Sequence, residues 1–593
     1  MASLRALFRS KAAVTSERGD ASPAPASATR SSAASNVGAL VHEARELSIA
    51  QRHGEALALI DEALLAAPAN AELMFARGRV LFDSGRYGHA HQWLRKAAEL
   101  GTEDSSLFLQ LGWTSLWTSG AQSAEPWMRK AVDIEPDTWL VHFGLASALR
   151  AQNRIDEAIA SFERVVAIAP ENVQALLQLA ECALAQKRHE QAADVARRVI
   201  RIDPGATQAL TMLGIASISQ DRFDEAVDAF ERAYQIEAQR SREIDPHLNL
   251  GICLRESGRL DEALSLYRRR LPSLPSIGAN GHYAHALLLA GLLREGFIQY
   301  EFRWLEQPLL GRRPAFRKPV WDGQDLRGKT ILLRTEQGVG DVIQFIRYAP
   351  HVKALGARVL LDVRRGVGEL AHSFPGVDQI LERDGDCPPF DFYIHLMSLP
   401  RVFGTELASI PAAVPYLRTD PTRRKAWATR LAEAAKFRVG LVWAGDPEHL
   451  RDRYRSIPLS TFSPLAGIDG VQFYSLQKGK AAHELEHPPG GMSIVDLAPD
   501  IHDFADTAAI IDSLDLTICV DTSVAHLAGA LGRSVWTLIA NPPEWRWMTG
   551  RSDSPWYPTM RLFRQTRAGD WDEVLQRVGS ELAQSIEARR GTK

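Results

Sequence analysis

A period of 34 residues runs through the first half of the chain and constrains its fold more than any other feature. One alanine marks each period, at Ala56, Ala90, Ala124, Ala158, Ala192 and Ala226. Small residues recur twelve positions earlier, at Ala44, Gly78, Gly112, Ala146, Ala180 and Gly214. Proline recurs twelve positions later, at Pro68, Pro136, Pro170 and Pro204. The period predicts a stack of similar units, each burying its apolar face against the next.

Each unit is predicted to be two antiparallel helices, with small residues where they cross and a proline that ends the second helix. The pattern resembles the tetratricopeptide repeat (TPR). A seventh unit follows at Ala263 with Gly251 as its small residue, and a degenerate eighth unit is expected to cap the stack. Such an array implies a surface for a protein or peptide partner, and a rigid spacer or dimer surface is the alternative.

From about Lys329 the pattern changes to alternating strands and helices. TILLRT, ARVLLDV, DQILE and DFYIHL are predicted strands of one series, and FRVGLVWA, VQFYSLQ, LDLTICV and SVWTLI of a second. Two successive parallel α/β units are a common setting for nucleotide binding. The predicted domains are a disordered tail (1–37), TPR repeats (38–311), an acceptor-side Rossmann-like lobe (312–420) and a nucleotide-sugar lobe (421–593) that ends in a helix.

Composition excludes several classes of function. The net charge of −3, from 69 Lys and Arg against 72 Asp and Glu, gives no basic excess for a nucleic acid. The four cysteines lie far apart and form neither a zinc motif nor a disulfide framework. No apolar run approaches the roughly 18 residues of a membrane span, and the basic start has too short an apolar stretch for a secretory signal. A cytoplasmic protein without a transmembrane segment is predicted.

The first candidate site is EQGVGDVIQF, where Gly338 and Gly340 form a turn between a strand and a helix expected to begin at Asp341. Backbone N–H groups at such a helix start bind anions. Asp341 at the cleft is a candidate general base, and an aspartate that caps the helix is the alternative.

Two further candidates lie in the second lobe. In ICVDTSVAHLAGALG a strand ends at Asp521, and the following Thr522, Ser523 and His526 suit a diphosphate or sugar hydroxyls, or else a capped helix with a satisfied histidine. In VGLVWAGDPEHLRDRYRS, Arg455 is the candidate phosphate ligand, whereas Arg451 is interpreted as part of a solvated loop. Lys478 in SLQKGK is a further cation candidate.

Taken together, EQGVGD, VGLVWAG…RS and VDTSVAHLAGALG resemble the heptosyltransferase-like glycosyltransferases of GT-B fold, and more closely the bacterial proteins that join TPR repeats to such a module. The resemblance extends from the first repeat to the C-terminus. It implies that Asp341 deprotonates an acceptor hydroxyl and that Asp521, Thr522, Ser523 and His526 bind the nucleotide sugar. Serine stands where the family often has glycine, and Arg455 where it often has lysine, which puts a heptose donor in doubt.

The resemblance implies an inverting transfer with no cofactor and no metal, the acceptor being a protein or saccharide recruited by the repeats. The triplet Asp384–Gly385–Asp386 is interpreted as a turn rather than a metal site. A TPR scaffold with an inactive transferase module is the alternative function. A dehydrogenase is excluded, because QGVGDV lacks the third glycine of the dinucleotide motif and no ribose-binding acid follows.

Overall fold

The computed structural model describes residues 31–240, 246–271, 277–305, 318–363, 367–382, 387–431, 436–449 and 451–591. The chain divides into two compact units, Met1–Asn249 and Leu250–Lys593. Helices make up the described part of the first unit, and the second unit contains two parallel sheets. The predicted fold class, an α-solenoid of TPR repeats followed by an α/β region, is confirmed.

The first unit is a series of antiparallel helix pairs. Its helices are α1 (Ser31–Ile49), α2 (His53–Ala66), α3 (Ala71–Asp83), α4 (Tyr87–Glu99), α5 (Ser105–Thr118), α6 (Ala121–Ile134), α7 (Trp139–Ala151), α8 (Ile155–Ile168), α9 (Val173–Ala185), α10 (His189–Ile202), α11 (Thr207–Ile218) and α12 (Phe223–Arg240). One continuous apolar core runs through these pairs. Helix α1 begins inside the segment predicted as a tail, and residues 1–30 lie outside the described residues.

The recurring glycines lie where the two helices of a pair touch. A Cβ atom on Gly78 would come within 2.6 Å of Leu94 Cδ2, and one on Gly112 within 2.4 Å of Met128 Cγ. Gly214 likewise lies against the side chain of the residue sixteen positions later. Because no side chain fits at these positions, the small residues set the distance between the helices, as the period predicted.

The second unit begins with helical elements that continue the repeat pattern. They are α13 (Pro246–Glu256), which crosses the boundary after Asn249, α14 (Leu260–Arg270), α15 (Ile277–Leu289) and α16 (Leu293–Gln299). A Cβ atom on Gly251 would lie 2.4 Å from the ring of Tyr267, so this pair packs like the earlier ones. Ala284, Leu288 and Phe297 join the apolar core of the α/β region.

Two parallel sheets follow. The first has the order β3-β2-β1-β4 and the second the order β10-β9-β8-β5-β6-β7. The strands are β1 (Thr330–Arg334), β2 (Arg358–Val363), β3 (Gln379–Glu382), β4 (Phe392–His395), β5 (Phe437–Val442), β6 (Val471–Ser475), β7 (Ile494–Asp496), β8 (Leu516–Val520), β9 (Val535–Ile539) and β10 (Met560–Arg564). Both sheets are consistent with a GT-B module. The sequence predicted eight of these strands and missed β7 and β10.

Helices cover the sheets and close the chain. They are α17 (Val339–Phe345), α18 (Ala349–Ala354), α19 (Leu399–Val402), α20 (Pro421–Arg430), α21 (Asp452–Arg455), α22 (Phe504–Ser513), α23 (Ser523–Ala530) and α24 (Trp571–Gly591). The helix predicted after β1 is followed by a 3₁₀ turn at Ile346–Tyr348, which separates α17 from α18. Pro350 lies in the first turn of α18, where its missing N–H costs no hydrogen bond.

A buried arginine, Arg347, joins the two lobes of the second unit. Arg347 from the first lobe donates to the carbonyl oxygen of Trp556 at 2.7 Å and to the hydroxyl of Tyr416 at 2.9 Å. Helix α24 completes the second lobe, with Val574, Leu575 and Val578 in its core. Among the described residues, no helix combines the length and the apolar character that a membrane crossing requires. The domain boundaries stay predictions.

Candidate functional site

The glycine turn after β1 and the start of α23 pack against each other. Gly338 is the N-cap of α17, and Gly340 lies in the helix's first turn. A Cβ atom on Gly340 would lie 3.0 Å from His526 Cδ2 and 3.6 Å from the Cα atom of Ser523. Glycine at position 340 therefore lets the first-lobe turn approach the second-lobe helix, and two of the predicted sites form one region.

Asp341 is the third residue of α17 and not its first, which corrects the predicted helix start. Its Oδ2 atom accepts the N–H of Gly338 at 3.0 Å, so the carboxylate caps the helix from inside the first turn. Its Oδ1 atom is ion-paired with Arg546. The capping and base interpretations are compatible, because an ionised carboxylate offers about four lone-pair positions and these two bonds use two of them.

Arg546 is the central cation of the site, and the sequence analysis missed it. It follows β9 in a 3₁₀ turn, and its guanidinium bonds Asp341, Glu544 and the amide oxygen of Gln344, the last at 2.8 Å from Nε. Burial alone would lower the pKa of Arg546, but the carboxylates of Glu544 and Asp341 outweigh burial and raise the pKa. The sequence signal was the run EWRW, in which a charged pair stands among aromatic residues.

Arg455 lies at the carboxyl end of β8, as the phosphate hypothesis requires. Its Nη1 atom donates to the carbonyl oxygen of Asp521 at 3.0 Å, and its Nε atom to Asp452 Oδ1 at 3.1 Å. A Cβ atom on Gly445 would lie 2.6 Å from Arg455 Nη2, so the small turn after β5 leaves the guanidinium its space. The structure thus brings Arg455 and Asp521 together.

Helix α23 begins with Thr522 as its N-cap and Ser523 as its first residue. The hydroxyl oxygen of Thr522 is buried and has no hydrogen-bond partner among the described residues. The amide nitrogen of Gln344, next to Arg546, is likewise buried and unpartnered within that part of the chain. Unpaired buried polar groups cost stability, so each requires an explanation such as a ligand or an ordered water.

His526 is a packed residue at the base of the site. Its Nδ1 atom is 2.9 Å from the hydroxyl of Tyr557, and its ring stacks on Trp547 with centroids 5.2 Å apart. Burial, together with Arg546 and other arginines, lowers the pKa of His526 well below its ordinary value. The imidazole is therefore neutral at pH 7, and the alternative of a satisfied histidine describes its surroundings well.

Lys478 is directed away from this arrangement. Its ammonium group donates to the carbonyl oxygens of Ala498 and Ile501, at 2.8 and 2.9 Å. These bonds occupy two of its three donors, and the structure does not bring it to the residues around Asp341. A phosphate-binding role for Lys478 stays a prediction that these contacts do not favour.

Arg451 is not part of a solvated loop, which corrects the sequence interpretation. Its Nη1 atom pairs with Glu256 at 3.0 Å, and its Nη2 atom donates to the carbonyl oxygen of Pro542 at 3.0 Å. Its backbone N–H donates to Nδ1 of His449 at 3.2 Å. Arg451 therefore ties the loop that leads to Arg455 to two other elements of the second unit.

Known proteins match both parts of the chain. Tetratricopeptide-repeat family models match residues 43–105, 143–207 and 205–276, and the model of glycosyltransferase family 9 (heptosyltransferase) matches residues 470–568. Protein FlbA of Caulobacter vibrioides is 28% identical over 343 residues, or 53% of this chain. The match covers 56% of the length of that relative.

Similar solved structures include YrrB, described as a TPR protein with an unusual peptide-binding site, at 24% identity and a TM-score of 0.27 over 29% of this chain and 88% of YrrB. The C-terminal part of a TPR protein from Cytophaga hutchinsonii is 13% identical, with a TM-score of 0.36 over 40% of this chain and 96% of that one. MamA from Desulfovibrio magneticus is 17% identical, with a TM-score of 0.28 over 30% of this chain and 99% of MamA.

Proposed function

We propose that the chain transfers a sugar from a nucleotide sugar to an acceptor recruited by the repeats. The premise is that the chain carries TPR repeats followed by a glycosyltransferase family 9 domain. One observation carries the proposal. The turn that holds Asp341 packs directly on the helix start that follows Asp521, with 3.0 Å from the Cβ position of Gly340 to His526. The candidate base and the candidate donor-binding residues therefore converge from two lobes.

The proposed reaction inverts the anomeric carbon. Asp341 takes the proton of the acceptor hydroxyl, and the acceptor oxygen forms a bond to the anomeric carbon. The bond between that carbon and the phosphate oxygen breaks on the opposite face, and its electron pair leaves with the nucleoside diphosphate. Arg455 and the N–H groups at the start of α23 stabilise the negative charge that develops there.

Metal independence is part of the proposal. Arg455 and the helix start supply positive charge at the carboxyl end of β8, where the diphosphate is proposed to lie. The described residues contain no group of three or more His, Cys, Asp or Glu side chains arranged to hold an ion. The triplet Asp384–Gly385–Asp386 lies outside the described residues. We further propose that no cofactor is needed beyond the nucleotide-sugar substrate.

The acceptor is proposed to be a protein or a saccharide held by the repeats, and a cytoplasmic location stays a prediction.

An inactive scaffold is the second candidate. The contact of the glycine turn with α23 through Gly340 favours the enzyme, since a docking module has no reason to keep a candidate base beside a candidate donor site.

The test is a thermal-shift titration of the whole chain with UDP, GDP, ADP, CDP and CMP, with and without EDTA. We expect one nucleotide to raise the melting temperature, and EDTA to leave the rise unchanged. A rise that EDTA abolishes would contradict metal independence. No response to any nucleotide would favour the scaffold.

Replacing Arg455 by Ala is expected to weaken binding of the nucleoside diphosphate by about 10- to 100-fold, because hydrogen bonds to charged groups contribute about 1.5–3 kcal/mol. Isothermal titration of the variant with the nucleotide found above measures this change. Arg453→Ala is the matched control, since Arg453 lies two residues earlier on the exposed side of α21. Equal affinities for both variants would assign the phosphate to another residue.

A further inference from the structure

Glu544 and Asp341 bind the same guanidinium group. Arg546 donates from Nη2 to Asp341 Oδ1 and from Nη1 to Glu544 Oε1, so it lies between two carboxylates. We propose that Glu544 sets the strength of Asp341 as a base by sharing Arg546 with it. This inference rests on the proposed function, because it assigns Glu544 a part in the same proton transfer. Glu544 is then a positioning residue that acts through Arg546.

The geometry fixes all three side chains. Glu544 is the N-cap of the 3₁₀ turn Trp545–Trp547, and its Oε2 atom accepts the backbone N–H of Arg546 at 2.8 Å. The side chains of Arg546, Asp341 and Glu544 are 11%, 17% and 22% exposed. At this burial, charge–charge interactions are screened less than at the surface.

Counting charges shows why a second carboxylate is needed. With both acids ionised, the trio carries one net negative charge, and the proton that Asp341 takes from the acceptor brings it to zero. Without Glu544, the remaining pair of Asp341 and Arg546 is neutral before the transfer. The proton that Asp341 takes then leaves the buried Arg546 without an ionised partner. An uncompensated buried charge is unfavourable, so Asp341 would hold a proton less readily and would be a weaker base.

The other ionisable groups around the trio come from several elements. Asp521 acts on Glu544 and Arg546, Glu336 lies near Asp341, and Arg455 acts on His526. Arg546 or Asp341 also interacts electrostatically with Tyr300, His285, His449 and His526. None of these side chains is seen to bond Arg546 among the described residues, whereas Asp341 and Glu544 both do.

The carboxyl group of Glu544 is suited to lose its proton near neutral pH. Burial raises the pKa of Glu544 to about 7, Asp521 and Asp341 act in the same direction, and Arg546 opposes them. When two acids interact strongly, a titration step belongs to the pair and not to either residue. Activity is therefore expected to rise with pH through the neutral range, as Glu544 loses its proton and its negative charge makes Asp341 a stronger base.

The experiment follows release of the nucleoside diphosphate from UDP-glucose, UDP-N-acetylglucosamine, GDP-mannose and ADP-glucose, with water as the acceptor, between pH 5 and pH 9. Glu544→Gln keeps the size of the side chain and an oxygen for Arg546, and it removes the charge. We expect the acidic limb of its kcat profile to lie about one pH unit lower than in the wild type. The plateau is expected to fall about tenfold, because a weaker base transfers the proton less readily.

Three variants complete the test. Glu544→Asp keeps the charge and is expected to restore the position of the limb. Glu544→Ser, a neutral residue that also caps helices well, replaces Glu544→Gln if the latter does not fold. Glu581→Gln, which removes an equivalent charge beside Arg561, is expected to leave the profile unchanged.

The outcomes separate the two proposals. If the acidic limb of the Glu544→Gln profile lies at the wild-type pH and activity still depends on Asp341, the role of Glu544 is overturned and the transferase proposal stays intact. Loss of activity without a shift of the limb would mean that Glu544 only supports the structure, which also overturns the inference. No release from any of the four donors by the wild type, together with no thermal shift by any of the five nucleotides, would overturn the proposed function, and the inference with it.

Discussion

Replacing Asp341 by Asn is expected to lower kcat by about 10²- to 10⁴-fold, the usual contribution of a general base. Asparagine keeps one oxygen for Arg546 and loses the acceptor for the N–H of Gly338, and the packing of Gly340 against His526 should keep the glycine turn in place. It has no oxygen that takes up a proton at neutral pH. Binding of the nucleoside diphosphate should stay nearly unchanged, because Arg455 and the start of α23 lie in the other lobe. Steady-state kinetics and a nucleotide titration of the same preparation check both statements.

Asp322→Asn is the matched control. Asp322 lies in the same lobe and also pairs with an arginine, Arg401, but it is largely exposed. This variant should keep wild-type kinetics. Full activity of Asp341→Asn would contradict the assignment of the base. Equal losses of activity and of nucleotide affinity would place Asp341 among the donor contacts instead.

The helical half of the fold was accessible from the sequence because its determinants are local and repeated. Gly78 and Leu94 touch at a separation of sixteen residues, and the same spacing recurs along the array. The strand TILLRT was equally clear, since all three of its inner residues are buried. Strands β7 and β10 were missed because they lie at the two edges of the second sheet, and β7 has only three residues.

The candidate site was accessible only in part. The glycine turn and the segment beginning at Asp521 were found separately, each from the strand that precedes it. Their contact through Gly340 depends on how two lobes pack, and no local pattern encodes it. Arg546 and Asp341 are 205 residues apart in the chain, so no residue spacing in the sequence indicates that they pair. The roles assigned to Asp341, Arg455, Asp521, Thr522, Ser523 and His526 stay proposals.

Lys478 illustrates a different limit of sequence reasoning. A lysine after a strand in a glycine-containing loop is a reasonable phosphate ligand, and the sequence does not show which way its long side chain turns. The two backbone carbonyls that it meets, of Ala498 and Ile501, belong to a later segment. The interpretation of Arg451 was wrong in the opposite sense, because a side chain taken as solvated has a partner. That partner, Glu256, comes from the helical segment that opens the second unit.

Replacing Glu336 by Ala is expected to lower the free energy of unfolding of the second unit by about 3–5 kcal/mol. Glu336 is buried and binds Arg303 through two bonds, at 2.9 and 3.0 Å. Arg303 is buried as well, so the substitution removes its strongest counter-charge. Glu301 and Ser398 remain as partners, each at 2.8 Å, which places the expected loss toward the lower end of the range. Hydrogen exchange of the amides in β1, the strand that leads into Glu336, measures the loss locally.

Because Glu336 comes just before the glycine turn, the same variant tests whether the turn depends on that ion pair. We expect faster exchange in β1 and α17 together, since Arg303 holds the chain between them. Asp325→Ala is the control, because Asp325 pairs with Arg327 at the surface, where both side chains are mostly exposed. It should leave exchange in β1 unchanged, since exposed ion pairs contribute little. Equal exchange rates in both variants would show that Arg303 finds enough partners in Glu301 and Ser398, and that the glycine turn is held by the packing of Gly340 against His526 instead.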